Sequence, residues 1–141
     1  MRTRYTSLVS VKKNIMQKSE RLLQSKNFAL HNAQEALQNS LKALDELHPP
    51  QNGIISDFLS SRALLDSQRL IIKHNEEWVT FATREVKEAQ EQLKLDMIEY
   101  EKYQYLELQE IEAFKKAQKI KEAKELDEIA LITHNIKERS A

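Results

Sequence analysis

The chain of 141 residues contains no cysteine, so disulfides and thiolate metal sites are excluded and a reducing, cytoplasmic setting fits. It contains one glycine, which rules out a glycine-rich phosphate loop. Aromatic residues make up only 6% and β-branched residues are sparse, so a broad globular core is not expected. Charge of one sign is also missing: 22 basic and 22 acidic residues cancel, which argues against a general nucleic-acid or membrane-surface binder. No stretch approaches the roughly 20 apolar residues of a membrane span. Arg2, Arg4, Lys12 and Lys13 near the start are not followed by an apolar run of signal-peptide length.

The two prolines and the single glycine fall together in His48-Pro49-Pro50-Gln51-Asn52-Gly53. Proline removes a backbone donor and clashes with the preceding turn, and glycine costs about 1 kcal/mol in a helix interior. Neither residue type recurs in the flanking segments, which are rich in Ala, Glu, Lys, Leu and Gln. This composition predicts one domain of long helices: a helix over 3–47, a turn over 48–53 and a helix over 54–138. Ser56 and Asp57 supply an N-cap hydroxyl and a first-turn acid for the second helix.

Apolar residues recur every seven positions in both arms. Val9, Met16, Leu23, Leu30, Leu37 and Leu44 form one row, with Leu8, Ile15, Leu22, Ala29, Ala36 and Ala43 beside it. Phe58, Leu65, Ile72, Val79, Val86, Leu93 and Tyr100 form the row of the second arm, which fails at Glu107 and reads as a phase shift within a continuous helix. A strict seven-residue repeat implies left-handed supercoiling against a partner helix. A hairpin centred near residue 51 sets residue i against about 102 − i. Residues 1–26 carry seven bases and one acid, a net +6, while residues 76–101 carry eight acids and three bases, a net −5. A parallel homodimer would set the basic segment on its own copy, so charge selects the antiparallel hairpin. The fold class is therefore all-α, a long two-helix antiparallel coiled-coil hairpin with an overhanging C-terminal helix. In this register residues of about 102–138 lack an intrachain partner, and Leu106, Ile111, Phe114, Ile120, Leu126, Ile129 and Ile136 need a surface from elsewhere or leave the helix partly frayed.

Catalytic chemistry has no foothold. The four histidines, at 31, 48, 74 and 134, lack metal-ligand spacing, and acid pairs such as Glu76–Glu77 have no cleft to raise a pKa. We read the chain as non-enzymatic, without cofactor or metal, and without nucleic acid or membrane insertion among its interactions. Tyr100 and Tyr103 fill the seam where the first helix begins, near Tyr5, and Tyr105 points elsewhere. Trp78 and Phe81 read as packing edges. Leu41 and Leu59 lie off the main rows at the hairpin end, beside Leu37, Leu44 and Phe58, as a contact patch or an end-cap for the seam.

The run Lys121-Glu122-Ala123-Lys124-Glu125-Leu126-Asp127-Glu128-Ile129-Ala130 resembles the acidic, Leu-Asp-Glu-containing signature near the C-terminus of FliJ-like proteins, flagellar members of the type III export stalk family. Glu99-Tyr100-Glu101-Lys102 stands upstream where that family often has a Leu-Glu-Lys segment. The Arg-rich opening, the Ala- and Leu-rich first helix, the mid-chain hinge and the length are similar too. The chain departs in having Glu122-Ala123 where the family commonly has Glu-Gln, and in its Pro-Pro tip.

The resemblance implies a cytoplasmic stalk at the base of the export apparatus, similar to the central stalk of rotary ATPases. Its implied partners are the hexameric export ATPase, the cytoplasmic domain of the export gate protein and export chaperones. The open end would meet the ATPase ring, with Leu106, Ile111, Phe114, Ile120, Leu126 and Ile129 as apolar anchors and Lys121, Lys124, Asp127 and Glu128 setting orientation. The tip residues Leu37, Leu41, Leu44, Phe58 and Leu59 would meet the gate. The alternatives are a helical-hairpin holdase for unfolded chains and a self-associating coiled-coil scaffold.

Overall fold

The computed structural model describes residues 2–140, the side chain of Ser140 excepted. Two helices, α1 (Thr6–Glu46) and α2 (Ile55–Ser140), form an all-α antiparallel hairpin, and no strand occurs among the described residues. The chain divides into two units. One is Ile15–Asp96 and the other combines Met1–Asn14 with Met97–Ala141.

Both helix starts are held by side chains reaching back to orphan amides. The Thr3 hydroxyl accepts from the Tyr5 N–H at 3.1 Å, and the Thr6 hydroxyl accepts from the Thr3 N–H at 2.9 Å, the reciprocal pairing of a capping box. At α2 the carboxylate of Asp57 accepts from the Ile54 N–H at 3.3 Å. The cap is therefore Asp57 reaching backwards, and Ser56 lies inside the helix instead of supplying the N-cap hydroxyl.

In the Ile15–Asp96 unit the seam has a different second row from the one the apolar pattern suggests. Met16, Leu23, Leu30, Leu37 and Leu44 are half-buried, as expected. Their companions are Ser19, Lys26, Ala33, Ser40 and Leu47, three positions further on. Of the row expected beside them, Ile15 and Leu22 are exposed, while the small Ala29, Ala36 and Ala43 are half-buried at the edge of the seam. Neighbours in sequence stand about 100° apart on a helix, so a narrow seam takes alternating steps of three and four, never two adjacent rows in full. On α2 the matching rows are Leu65, Ile72, Val79, Val86 and Leu93 with Ser61, Gln68, Asn75, Ala82, Ala89 and Asp96. Half of the seam is thus small or polar, and its most deeply buried apolar side chains include Ala33, Ala82 and Ala89.

Several side chains of the polar half pair across the helices, while the Ser40 hydroxyl donates to the Leu37 carbonyl of its own helix at 2.7 Å. Gln68 Nε2 donates to the Ser40 carbonyl at 2.8 Å and Asn75 Nδ2 to the Ala36 carbonyl at 3.3 Å. Ser19 donates its hydroxyl hydrogen to Asp96, and Lys26 Nζ stands 3.0 Å from Glu85 Oε2. These partners sum to 108–115 and not to 102, so α2 is displaced by roughly nine residues from the register centred at residue 51. The connector Leu47–Ile54 makes the displacement, because X-Pro-Pro is held extended. Eight residues at about 3 Å each reach ~25 Å, enough to climb the ~15 Å by which α2 starts beyond the end of α1. The connector lies along the first turns of α2, where Leu47, His48 and Pro50 line a shallow groove with Asp57, Ser60, Ser61 and Leu64. Phe58 consequently has no α1 residue opposite it and is exposed.

In the other unit the same two rows continue. Tyr5, just before α1, and Val9 and Lys12 of α1 are half-buried, and so are Glu99, Tyr100, Tyr103, Leu106, Glu107, Glu110 and Ile111 of α2, while Leu8 and Val11 are exposed. Lys12 Nζ lies 3.7 Å from Glu99 Oε2 and Arg4 Nε lies 3.5 Å from Glu110 Oε1. The heptad therefore runs through Glu107 and Glu110 with no phase shift. It changes from apolar to acidic chemistry, and α1 covers α2 as far as Ile111 instead of stopping near residue 101. Residues 85–110 carry eight acids and three bases, so the shifted register keeps the same −5 against the +6 of residues 1–26.

Candidate interaction surfaces

Beyond Ile111 every described side chain of α2, from Glu112 to Arg139, is exposed. Its polar contacts are local: His134 Nε2 stands 3.0 Å from Glu138 Oε1, and the Thr133 hydroxyl donates to the Ile129 carbonyl at 2.8 Å. The segment persists as helix over charged residues set four apart, such as Glu112–Lys116, Lys121–Glu125 and Lys124–Glu128. Such pairs stabilise an exposed helix by a few tenths of a kcal/mol each. They do nothing to cover its large apolar side chains, and Leu126 is 66% exposed.

The residues that the resemblance assigns to the ring divide into two groups. Phe114, Ile120, Lys121, Lys124, Leu126, Asp127, Glu128 and Ile129 are exposed on this extension. Leu106 and Ile111 are half-buried in the part of the unit that α1 covers, so they belong to the hairpin seam and not to the open end.

The assigned tip residues divide as well. Leu37 and Leu44 are half-buried in the seam, whereas Leu41, Phe58 and Leu59 are exposed. Ile54 and Ile55 join them because the first turns of α2 project past the end of α1. This apolar tip is larger than the sequence pattern suggests, and its added members come from the displaced register.

A second apolar face of the Ile15–Asp96 unit includes Trp78 and Phe81, which the sequence pattern reads as packing edges and the structure leaves exposed. Ile71, Trp78 and Phe81 recur at steps of seven and three along α2, with His74 between them, so they share one helix face. Trp78 is 39% and Phe81 53% exposed, and both line a shallow groove with His74 and Glu77. Arg84 stands over the Phe81 ring with its guanidinium carbon 5.9 Å from the centroid. The signal was present in the sequence as a row displaced from Ile72 and Val79 by one residue. Such a row cannot enter the same narrow seam. Tyr105 is exposed and accepts a hydrogen bond from Gln109 Nε2 at 2.6 Å, while Tyr100 and Tyr103 sit in the seam as expected.

Among the described residues no group of three or more His, Cys, Asp or Glu side chains could hold a metal ion. None of the helices is long and apolar enough to cross a membrane. His31 lies 3.9 Å from Glu35 on its own helix.

Compared with known proteins, the chain matches the family model described as flagellar FliJ protein over residues 1–139. No curated protein and no solved structure gives a match.

Proposed function

The chain belongs to the flagellar FliJ family of export proteins, and from that premise we propose that it is a non-catalytic stalk of the flagellar type III export apparatus. It works in the cytoplasm at the base of that apparatus, with the extension of α2 engaging the hexameric export ATPase. The observation that carries this reading is the helical segment Glu112–Arg139, ordered as helix yet exposed on every side and bearing Phe114, Ile120, Leu126 and Ile129. A helix of this kind gains stability and fixed orientation only from a surface outside the chain. Lys121, Lys124, Asp127 and Glu128 orient it through charge.

A stalk without catalytic groups alters turnover by binding some conformations of the ring more tightly than others, since differential affinity is what shifts populations. The gate protein binds the Ile15–Asp96 unit through its two exposed apolar faces, the tip of Leu41, Phe58 and Leu59 and the stripe of Ile71, Trp78 and Phe81. Tryptophan is enriched among the residues that dominate binding energy, which favours the stripe as the anchor. Export chaperones compete for the same unit.

Export ATPase turnover, measured with the full chain and with a truncation after Ile111, tests this reading. Stimulation and binding by the full chain that vanish on truncation support it. A truncated chain that binds and stimulates unchanged overturns it, and promiscuous, salt-tolerant binding of apolar peptides by the full chain would identify a holdase instead.

A further inference from the structure

The exposed extension has a second property, independent of the ATPase. Residues 112–121 hold four lysines and one glutamate, a net +3, whereas residues 122–131 hold one lysine and four acids, a net −3. Outward from the junction of Lys121 and Glu122, the two halves match as residue i with 243 − i. Ala113 then meets Ala130, Phe114 meets Ile129 and Ile120 meets Ala123. Opposite charges meet at Lys115 with Glu128 and Lys116 with Asp127, and like charges meet at Lys119 with Lys124.

The inner row of this pattern has the spacing of a coiled-coil seam. Ala113, Lys116, Ile120, Ala123, Asp127 and Ala130 follow one another at steps of three and four. The row is not a continuation of the hairpin seam, which from Glu107 and Glu110 would pass through Phe114 and Ala117. All six residues are exposed. Alanine at three of the positions and Ile120 at a fourth would let a second helix approach closely, while Lys116 and Asp127 each lie one step inside an end.

We propose that the extension pairs antiparallel with the extension of a second copy of this chain, about a two-fold axis between Lys121 and Glu122. A two-fold interface needs a surface that complements itself, residue i meeting j while j meets i, and the 243 − i match has that form. Charge fixes the direction. The antiparallel pair sets +3 against −3 twice and places Lys116 beside Asp127, whereas a parallel pair would set Lys116 on Lys116 and Asp127 on Asp127. The pair covers the segment that the ATPase reading assigns to the ring, so self-pairing and ring binding exclude each other. Free protein then holds its adhesive end in a reversible dimer.

Sedimentation of the purified full chain at tens of micromolar and low salt tests this without any ATPase, so its failure is distinct from failure of the stalk reading. The wild-type chain is expected to form a dimer that salt weakens. K115E/K116E and D127K/E128K are each expected to self-associate about tenfold or more weakly, because like charges replace opposite ones. An equimolar mixture of the two is expected to recover a dimer, since each variant then meets the charges it lacks. A wild-type chain that stays monomeric, reversed variants that dimerise as well as wild type, a mixture that stays monomeric, or a dimer that survives truncation after Ile111 would each overturn the proposal.

Discussion

Ser19 of α1 donates its hydroxyl hydrogen to the carboxylate of Asp96 on α2, and Gln92 Nε2 donates to the other oxygen of the same carboxylate at 3.1 Å. A charged group thus occupies a seam position with both oxygens satisfied. Replacing Ser19 by Ala removes one donor from a part-buried carboxylate, and the expected loss is about 1–2 kcal/mol. Replacing both residues with apolar ones, Ser19→Ala with Asp96→Leu, is expected to recover most of that loss. Urea denaturation of the two single variants and the double variant measures the coupling. Strictly additive losses would show that the pair does not act as a unit.

Glu107 and Glu110 end the covered part of the hairpin with one carboxylate oxygen each buried and without a hydrogen-bond partner among the described residues. Glu110 Oε1 also stands 3.5 Å from Arg4 Nε, whereas Glu107 makes no ion pair among the described residues. Glu107→Leu continues the apolar row of Leu93 and Tyr100, and is expected to stabilise the chain by about 1 kcal/mol. Thermal unfolding followed by circular dichroism reads this as a higher midpoint. A lower midpoint would mean that the carboxylate is held by contacts stronger than those seen here.

Gly53 has φ of 156°, and a Cβ there would lie 2.7 Å from Asp57 Oδ2. That oxygen also accepts from the Ile54 amide at the start of α2. Alanine at 53 would strain the backbone and push the cap aside, so Gly53→Ala is expected to cost about 1 kcal/mol or slightly more. Hydrogen exchange of the Ile54 to Phe58 amides should rise more than exchange at the mid-hairpin. Unchanged protection there would contradict the capping role.

Lys26 and Glu85 report the register directly. Both side chains are about one-third exposed, so the pair contributes only about 0.5 kcal/mol and salt reduces it. K26E is expected to lower stability by a similar small amount, and K26E with E85K to restore it. In the register centred on residue 51, Lys26 would stand opposite Glu76. Rescue by E76K instead of E85K would return the hairpin to that register.

What could be read from the sequence follows the chemistry that carries it. The rows from Val9 to Leu44 and from Leu65 to Tyr100 are apolar at strict sevens and show two seam-forming helices, while the +6 of residues 1–26 against the −5 of residues 76–101 sets their antiparallel direction. The second row escaped because Lys12, Ser19, Lys26 and Ser40 look like surface residues. Two of them lay their stems along the seam and end on Glu99 and Glu85, and one donates to Asp96. The register is not legible because Pro49-Pro50 in a segment of this composition reads as a tight turn over 48–53, whereas an extended connector displaces α2 along α1. That displacement moved Leu106 and Ile111 from the open end into the hairpin, and exposed Ile54, Ile55 and Phe58 at the tip. The start of the open segment thus shifted from about residue 102 to Glu112, while the exposure of Leu126 and Ile129 followed directly from the charged run around them.

The account rests on the exposed extension as the part that binds the export ATPase. The most direct measurement is the affinity of the purified ATPase for the full chain and for L126S/I129S, with unfolding of both chains recorded alongside. Both positions are exposed and lie far from the seam, so hairpin stability should stay within about 0.5 kcal/mol. The account predicts affinity weakened by about tenfold or more, as for loss of two apolar anchors. Equal affinity of the two chains, at equal stability, would contradict it.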